Sequence, residues 1–130
     1  MEVFRLKILV VDDSLLDRKL LISILKRSGI ESEILQASDG EEGLSILSKN
    51  HSEIGLVIVD WQMPRMDGIE FMKAVISVPE VSSIPIIMLT ASGSEESRKK
   101  AYETNPKLAG YVVKPYAPDT LLHTVKPFVN

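Results

Sequence analysis

Ile8-Leu9-Val10-Val11-Asp12-Asp13 is the stretch that decides the fold: four strand-type apolar residues run without alternation into two adjacent carboxylates. An uninterrupted apolar run suits a strand covered on both faces, as the central strands of parallel sheets are. The pattern returns at Leu56-Val57-Ile58-Val59-Asp60, again closed by an acid. If these runs are neighbouring parallel strands, Asp12, Asp13 and Asp60 converge at one edge of the sheet. Two like charges about 4 Å apart cost about 4 kcal/mol at an effective dielectric of about 20, so such an edge calls for a cation. Carboxylates without His or Cys suit a hard ion such as Mg2+.

Working outward, short apolar runs alternate with amphipathic stretches, without repeats or low-complexity linkers. Strands are predicted at Ile8 to Val11, Glu33 to Ala37, Leu56 to Asp60, Pro85 to Thr90 and Gly110 to Val113; the second is mixed in polarity and reads as an edge. Leu20, Leu21, Ile24 and Leu25 recur at helical spacing before Gly29. Asp39 with Glu42, and Asp67 with Glu70, have the spacing of capping boxes. A fourth helix is expected to begin near Ser92 or Ser94, and Pro106 should end it near Thr104 or Asn105. The last should follow Pro118, with Leu121, Leu122 and Val125 buried. Five β-α units with short connections imply right-handed crossovers and a doubly wound parallel sheet. In such sheets ligands sit beyond the carboxyl ends of the strands. Asp12, Asp13, Asp60, Thr90 and Lys114 all fall at predicted strand ends.

A chain of 130 residues is the size of one domain able to bury a core. Its net charge of −3, with Lys and Arg scattered among the acids, offers no basic footprint for nucleic acid. The absence of cysteine excludes disulfides and zinc-thiolate sites and fits a reducing compartment. Charges interrupt the segment from Met1 to Lys7, so no signal peptide is read there. No window approaches the roughly 20 apolar residues of a membrane span, and a cytoplasmic location is expected.

These residues match a family. The chain resembles the receiver domain of two-component response regulators through Val10-Val11-Asp12-Asp13-Ser14, Asp60-Trp61-Gln62-Met63-Pro64 with Asp67-Gly68, Thr90-Ala91, and Tyr111-Val112-Val113-Lys114-Pro115. The likeness runs from about Leu6 to Val125, and the string from Gly110 to Tyr116 with Trp61 is similar to single-domain chemotaxis-type regulators. It implies one receiver domain over residues 1–130, with a flavodoxin-like five-stranded sheet of order 2-1-3-4-5 and five helices; that order is carried over from chemotaxis regulators of the family.

The resemblance also implies roles. Asp60 would take a phosphoryl group from a phosphohistidine of a sensor histidine kinase or phosphotransfer protein, as an acceptor rather than a turnover enzyme. Asp13, Asp60 and the backbone carbonyl of Gln62 would ligate Mg2+, with Asp12 acting through water. Lys114 and Thr90 would bind phosphoryl oxygens, and a cis bond at Pro115 would aim the lysine inward. Gln62 and Ser92 would flank the hydrolytic water. Thr90 and Tyr111 would form the switch, Thr90 moving toward the phosphate while the aromatic rotates inward. A downstream protein would then read the face of the fourth helix, fifth strand and fifth helix. Two new bonds to a charged group, at about 1.5–3 kcal/mol each, would supply about 3–6 kcal/mol for this change. The segment Glu103 to Gly110 is longer than the connection common in the family, which bears on that face and not on the acids.

Taken singly, the residues have plainer readings. Asp12 and Asp13 suit a turn before a helix, Ser14 and Asp17 suit an N-cap, and Thr90 suits any strand. Met63, Pro64, Asp67 and Gly68 read as loop-shaping and capping residues, and His51 and His123 have no partners in the pattern. Their joint placement at strand ends favours the acceptor site. A haloacid-dehalogenase-type phosphatase would need Asp-x-Asp after the first strand. A flavin carrier would need a glycine- and hydroxyl-rich turn where this chain is acidic. A receiver-shaped module that is never phosphorylated would not need the full acid, Thr and Lys set.

Overall fold

The computed structural model describes residues 5–129, and within them every apolar run marked as a strand forms one. The strands are β1 (Lys7–Val11), β2 (Ile34–Ala37), β3 (Ile54–Asp60), β4 (Ile86–Thr90) and β5 (Gly110–Val113). All pair in parallel, in the order β2-β1-β3-β4-β5, so the expected doubly wound, flavodoxin-like sheet is what the chain builds. β3 starts two residues earlier than the apolar run suggests. β4 starts one later, because Pro85 has no N–H to give the ladder; its carbonyl still accepts from Val57 N at 2.9 Å. The first four residues of the charged N-terminal stretch lie outside the described ones.

Between the strands lie α1 (Leu15–Arg27), α2 (Gly40–Asn50), α3 (Gly68–Ile76), α4 (Glu95–Thr104) and α5 (Pro118–Val125). Their starts follow the sequence signals. Ser14, Asp39, Asp67 and Ser94 each accept a backbone N–H three residues on, and Pro118 opens α5. At α3 the capping box is complete. At α2 only half of it forms, since the Glu42 carboxylate takes Ser38 N–H at 2.8 Å instead of the N–H of Asp39. α4 ends at Thr104 with Asn105 as its cap, where Pro106 forbids another turn. No described helix is long and apolar enough to cross a membrane.

Alternate residues of each central strand face opposite layers. Leu9, Val11, Val57, Val59 and Met88 pack with Leu47 of α2, Phe71, Met72 and Val75 of α3 and Ala101 of α4. Ile8, Val10, Leu56, Ile58 and Leu89 pack with Leu21 and Leu25 of α1 and Leu121 and Val125 of α5. Central strands buried on both sides are why the sequence shows apolar runs instead of alternation. Leu122 is only partly buried. On α1 the apolar set splits: Leu21 and Leu25 are buried, whereas Leu15, Leu16 and Leu20 are exposed. One glycine is dictated by the site's geometry. A Cβ on Gly68 would come within 2.9 Å of the Trp61 backbone and 2.7 Å of the Asp60 carbonyl oxygen, which lets α3 begin directly beneath the end of β3.

Candidate acceptor site

Strand register creates the site. Val11 pairs with Val59 across β1 and β3, so the next residues, Asp12 and Asp60, emerge side by side. The ladder holds both, with Asp12 N–H on Ala37 O at 3.1 Å, Asp60 paired with Leu89, and the following Trp61 N–H on Leu89 O at 2.8 Å. Asp13 follows in the turn. Carboxylate oxygens of Asp12, Asp13 and Asp60 all lie within 4.8 Å of one another. Asp12 and Asp60 are buried, and Asp13 is exposed. Arg18 braces the turn from α1, donating to Asp12 O at 2.6 Å and to Gln36 Oε1 at 3.1 Å.

From the other side, Lys114 N–H donates to Thr90 O at 2.7 Å, and the Lys114-Pro115 bond is cis. The ammonium lies 2.7 Å from Asp60 Oδ1, 3.3 Å from Asp17 Oδ2 and 3.7 Å from Asp12 Oδ2. It lines a cavity of about 500 Å3 with Asp12, Asp17, Leu20, Ile24 and Tyr116. Three carboxylates thus face one cation, and the titrations respond. Burial pushes Asp12 up to about 6, with the Asp60 charge adding to it against a hydrogen bond from Ser14 N–H. Burial also raises Asp60, opposed by its bond to Lys114. Burial alone would lower Lys114, but Asp60 and the neighbouring acids more than reverse it, so the ammonium is held above the ordinary lysine range.

Thr90 is fully buried, and its Oγ1 accepts from Gln62 Nε2 at 3.2 Å and Ser92 N at 3.1 Å. Gln62 Oε1 in turn accepts from Ala91 N at 3.4 Å, so this side chain spans from the β3-α3 loop to the β4-α4 loop. Ser92 donates its hydroxyl to Ser97 Oγ of α4 at 2.9 Å. Tyr111 is already inside, 9% exposed, with its hydroxyl on Ser92 O at 2.7 Å. Arg98 of α4 covers its ring at 4.6 Å, and Trp61 meets it edge-on at 6.4 Å. The aromatic expected to rotate inward is thus on the inside in this structure.

All sequence-nominated residues meet at the carboxyl edge of the sheet, with Tyr111 one layer below, in register with Met88. Three participants carry no usable sequence signal: Arg18 as brace, Arg98 over Tyr111, and Asp17 as a partner of Lys114 across 97 positions of chain.

Comparison with known proteins agrees with this geometry. Residues 8–126 match the response regulator receiver domain family. The chemotaxis protein CheY homolog of Campylobacter jejuni (serotype O:23/36, strain 81-176) is 35% identical over 116 residues, covering 89% of this chain and 86% of that protein. The structure of Vibrio cholerae chemotaxis protein CheY4 superposes with a TM-score of 0.82 at 35% identity, covering 95% of this chain and 98% of that one. The Mn(2+)-bound form of response regulator Rcp1 gives 0.74 at 27% identity, covering 92% and 88%. With its carboxylates gathered on the receiver sheet and the match spanning nearly its whole length, the chain belongs to the response regulator receiver domain family.

Proposed function

We propose that the chain is the phosphoacceptor of a two-component relay, and that Asp60 takes a phosphoryl group from a phosphohistidine of a sensor histidine kinase or phosphotransfer protein. The observation that carries this reading is the Lys114 ammonium 2.7 Å from a buried strand-end carboxylate that has two further acids beside it. An Asp60 oxygen bonds to phosphorus while the phosphorus–nitrogen bond breaks, its electron pair staying on the imidazole. The nucleophile is a carboxylate, so the step needs alignment and charge neutralisation and no general base. Lys114 supplies a fixed cation, and Thr90 keeps its hydroxyl hydrogen free for a phosphoryl oxygen, since both of its recorded bonds are accepted.

The donor set of three clustered carboxylates fits a hard divalent cation, and the related regulator with Mn(2+) bound points the same way. Asp13, Asp60 and the Gln62 carbonyl would hold Mg2+, with Asp12 acting through water. Bound there, Mg2+ would neutralise charge between the acids and the phosphoryl oxygens. We read residues 1–130 as one receiver domain acting in the cytoplasm, as an acceptor and not a turnover enzyme. A downstream protein would read the face of α4, β5 and α5, with Thr90 and Tyr111 as its switch. The test is acetyl phosphate with Mg2+: intact mass should rise by one phosphoryl group in the parent and not in Asp60→Asn. Labelling that survives Asp60→Asn, or proceeds undiminished in EDTA, overturns the assignment.

A further inference from the structure

Lys114 is a shared cation, and one of its partners stands outside the acceptor's own set. Asp17 lies in the first turn of α1, its N–H capped by Ser14 Oγ at 3.1 Å. Its half-exposed carboxylate reaches Lys114 Nζ at 3.3 Å and forms no other ion pair among the described residues. It is not one of the three acids whose oxygens cluster for a cation. Arg18, next in sequence, is committed to Asp12 O and Gln36. Lys114 is therefore the one side chain of the site that Asp17 bonds among the described residues, while its charge also bears on Asp12 and Asp60.

An ammonium has three N–H donors and no acceptor. Here one is on Asp60 at 2.7 Å and another on Asp17 at 3.3 Å, with Asp12 at 3.7 Å. Loading replaces the single charge of Asp60 with a group carrying nearly two, and Lys114 must turn toward those new oxygens. A donor left on Asp17 is withheld from the phosphoryl group. Asp17 also presents a negative charge in the wall of the cavity it shares with Lys114, where an anionic donor would arrive.

We propose that Asp17 is a positioning residue that competes with the phosphoryl group for Lys114 and so sets the phosphodonor concentration the site requires. This rests on the acceptor reading above. In the test reaction an Asp60 oxygen bonds to phosphorus of acetyl phosphate, the bond from phosphorus to the bridging oxygen breaks, and acetate leaves with that electron pair.

The experiment measures initial loading rate against acetyl phosphate at saturating Mg2+ for the parent, Asp17→Asn, Asp17→Ala and Asp17→Glu, and beryllofluoride affinity from Trp61 fluorescence. Half-saturation should fall about three- to fivefold in Asp17→Asn and Asp17→Ala, the scale of a half-exposed ion pair, with the limiting loading rate unchanged. Beryllofluoride should bind tighter by the same factor, Asp17→Glu should resemble the parent, and about 0.5 M salt should shrink the difference. A half-saturation that is unchanged or higher in Asp17→Asn and Asp17→Ala overturns the inference while the acceptor reading stands. A parent that takes up no phosphoryl group overturns both.

Discussion

Neutralising Asp12 should stabilise the metal-free protein, and the size of the gain can be worked from its titration. Buried Asp12 holds its proton up to about pH 6, against 3.8 for the free side chain. The folded state therefore binds more protons than the unfolded state between about pH 4 and 6, and stability falls as pH rises through that window. About two units at about 1.4 kcal/mol each set a ceiling near 3 kcal/mol. Water at the open end of the site screens part of this, leaving about 1–2 kcal/mol. In a domain of this size each kcal/mol moves Tm by about 3–5 °C, so in EDTA at pH 7.5 Asp12→Asn should melt about 3–10 °C above the parent. The Asn oxygen can keep the bond that Ser14 N–H gives Asp12. At pH 4 the two should coincide, because there the parent carries the proton too. Mg2+ at a hundred times its Kd adds about 2.7 kcal/mol to a protein that binds it, so saturating Mg2+ should erase or invert the ranking. Thermal melts by circular dichroism across pH 4–8, with and without metal, decide the matter. A variant that melts below the parent in EDTA at pH 7.5, or whose advantage persists unchanged at pH 4, refutes the argument.

Asp60→Asn should gain less than Asp12→Asn in the same melts, since it also gives up the bond to Lys114 at 2.7 Å; a larger gain would mean that the lysine contributes nothing to that carboxylate. Lys114→Ala should lower metal-free stability by about 1–3 kcal/mol, less than a fully buried pair would lose, and Mg2+ should restore part of it; no loss in urea melts would contradict the charge balance described above. Thr90→Ala should still accept phosphate yet lose most phosphorylation-dependent binding of a partner, and its beryllofluoride-induced NMR shifts should no longer extend through Ser92 to Tyr116. Equal shifts in variant and parent would remove Thr90 from the switch.

Most of the sheet was legible because its signal is local: apolar runs buried on both faces cannot alternate, and each run ends where an acid, Thr or Lys must leave the core. Pro106 and Pro118 fixed the limits of α4 and α5 for a backbone reason that any context shares. The misses are side chains whose partners are chosen in three dimensions. Glu42 has the spacing for a capping box, yet its carboxylate finds Ser38 N–H. Asp17 reads as an ordinary residue of a helix's first turn, and only the crossing of α1 with the end of β5 brings it to Lys114. Periodicity encodes which face a residue takes, and it is silent on which polar atom it meets there.

That silence changes the energetics of the switch. The sequence suggests two new bonds on phosphorylation, from Thr90 and Lys114. In the structure Lys114 is already bonded to Asp60, so its contact with a phosphoryl oxygen exchanges one charged partner for another and adds little. Thr90 alone brings a new bond, worth about 1.5–3 kcal/mol, or a shift of about 10- to 150-fold in an equilibrium constant. Taking a two-state ratio from 1:99 to 99:1 needs about 5.5 kcal/mol, which one such bond cannot supply. The position of Tyr111 shows where the rest would have to come from. Its ring is inside, bonded to Ser92 O and covered by Arg98, so a partner that favours this arrangement would bias the switch toward it. Under the proposed switch, the single bond from Thr90 would then suffice only together with a partner whose differential affinity for the active face supplies the remaining bias.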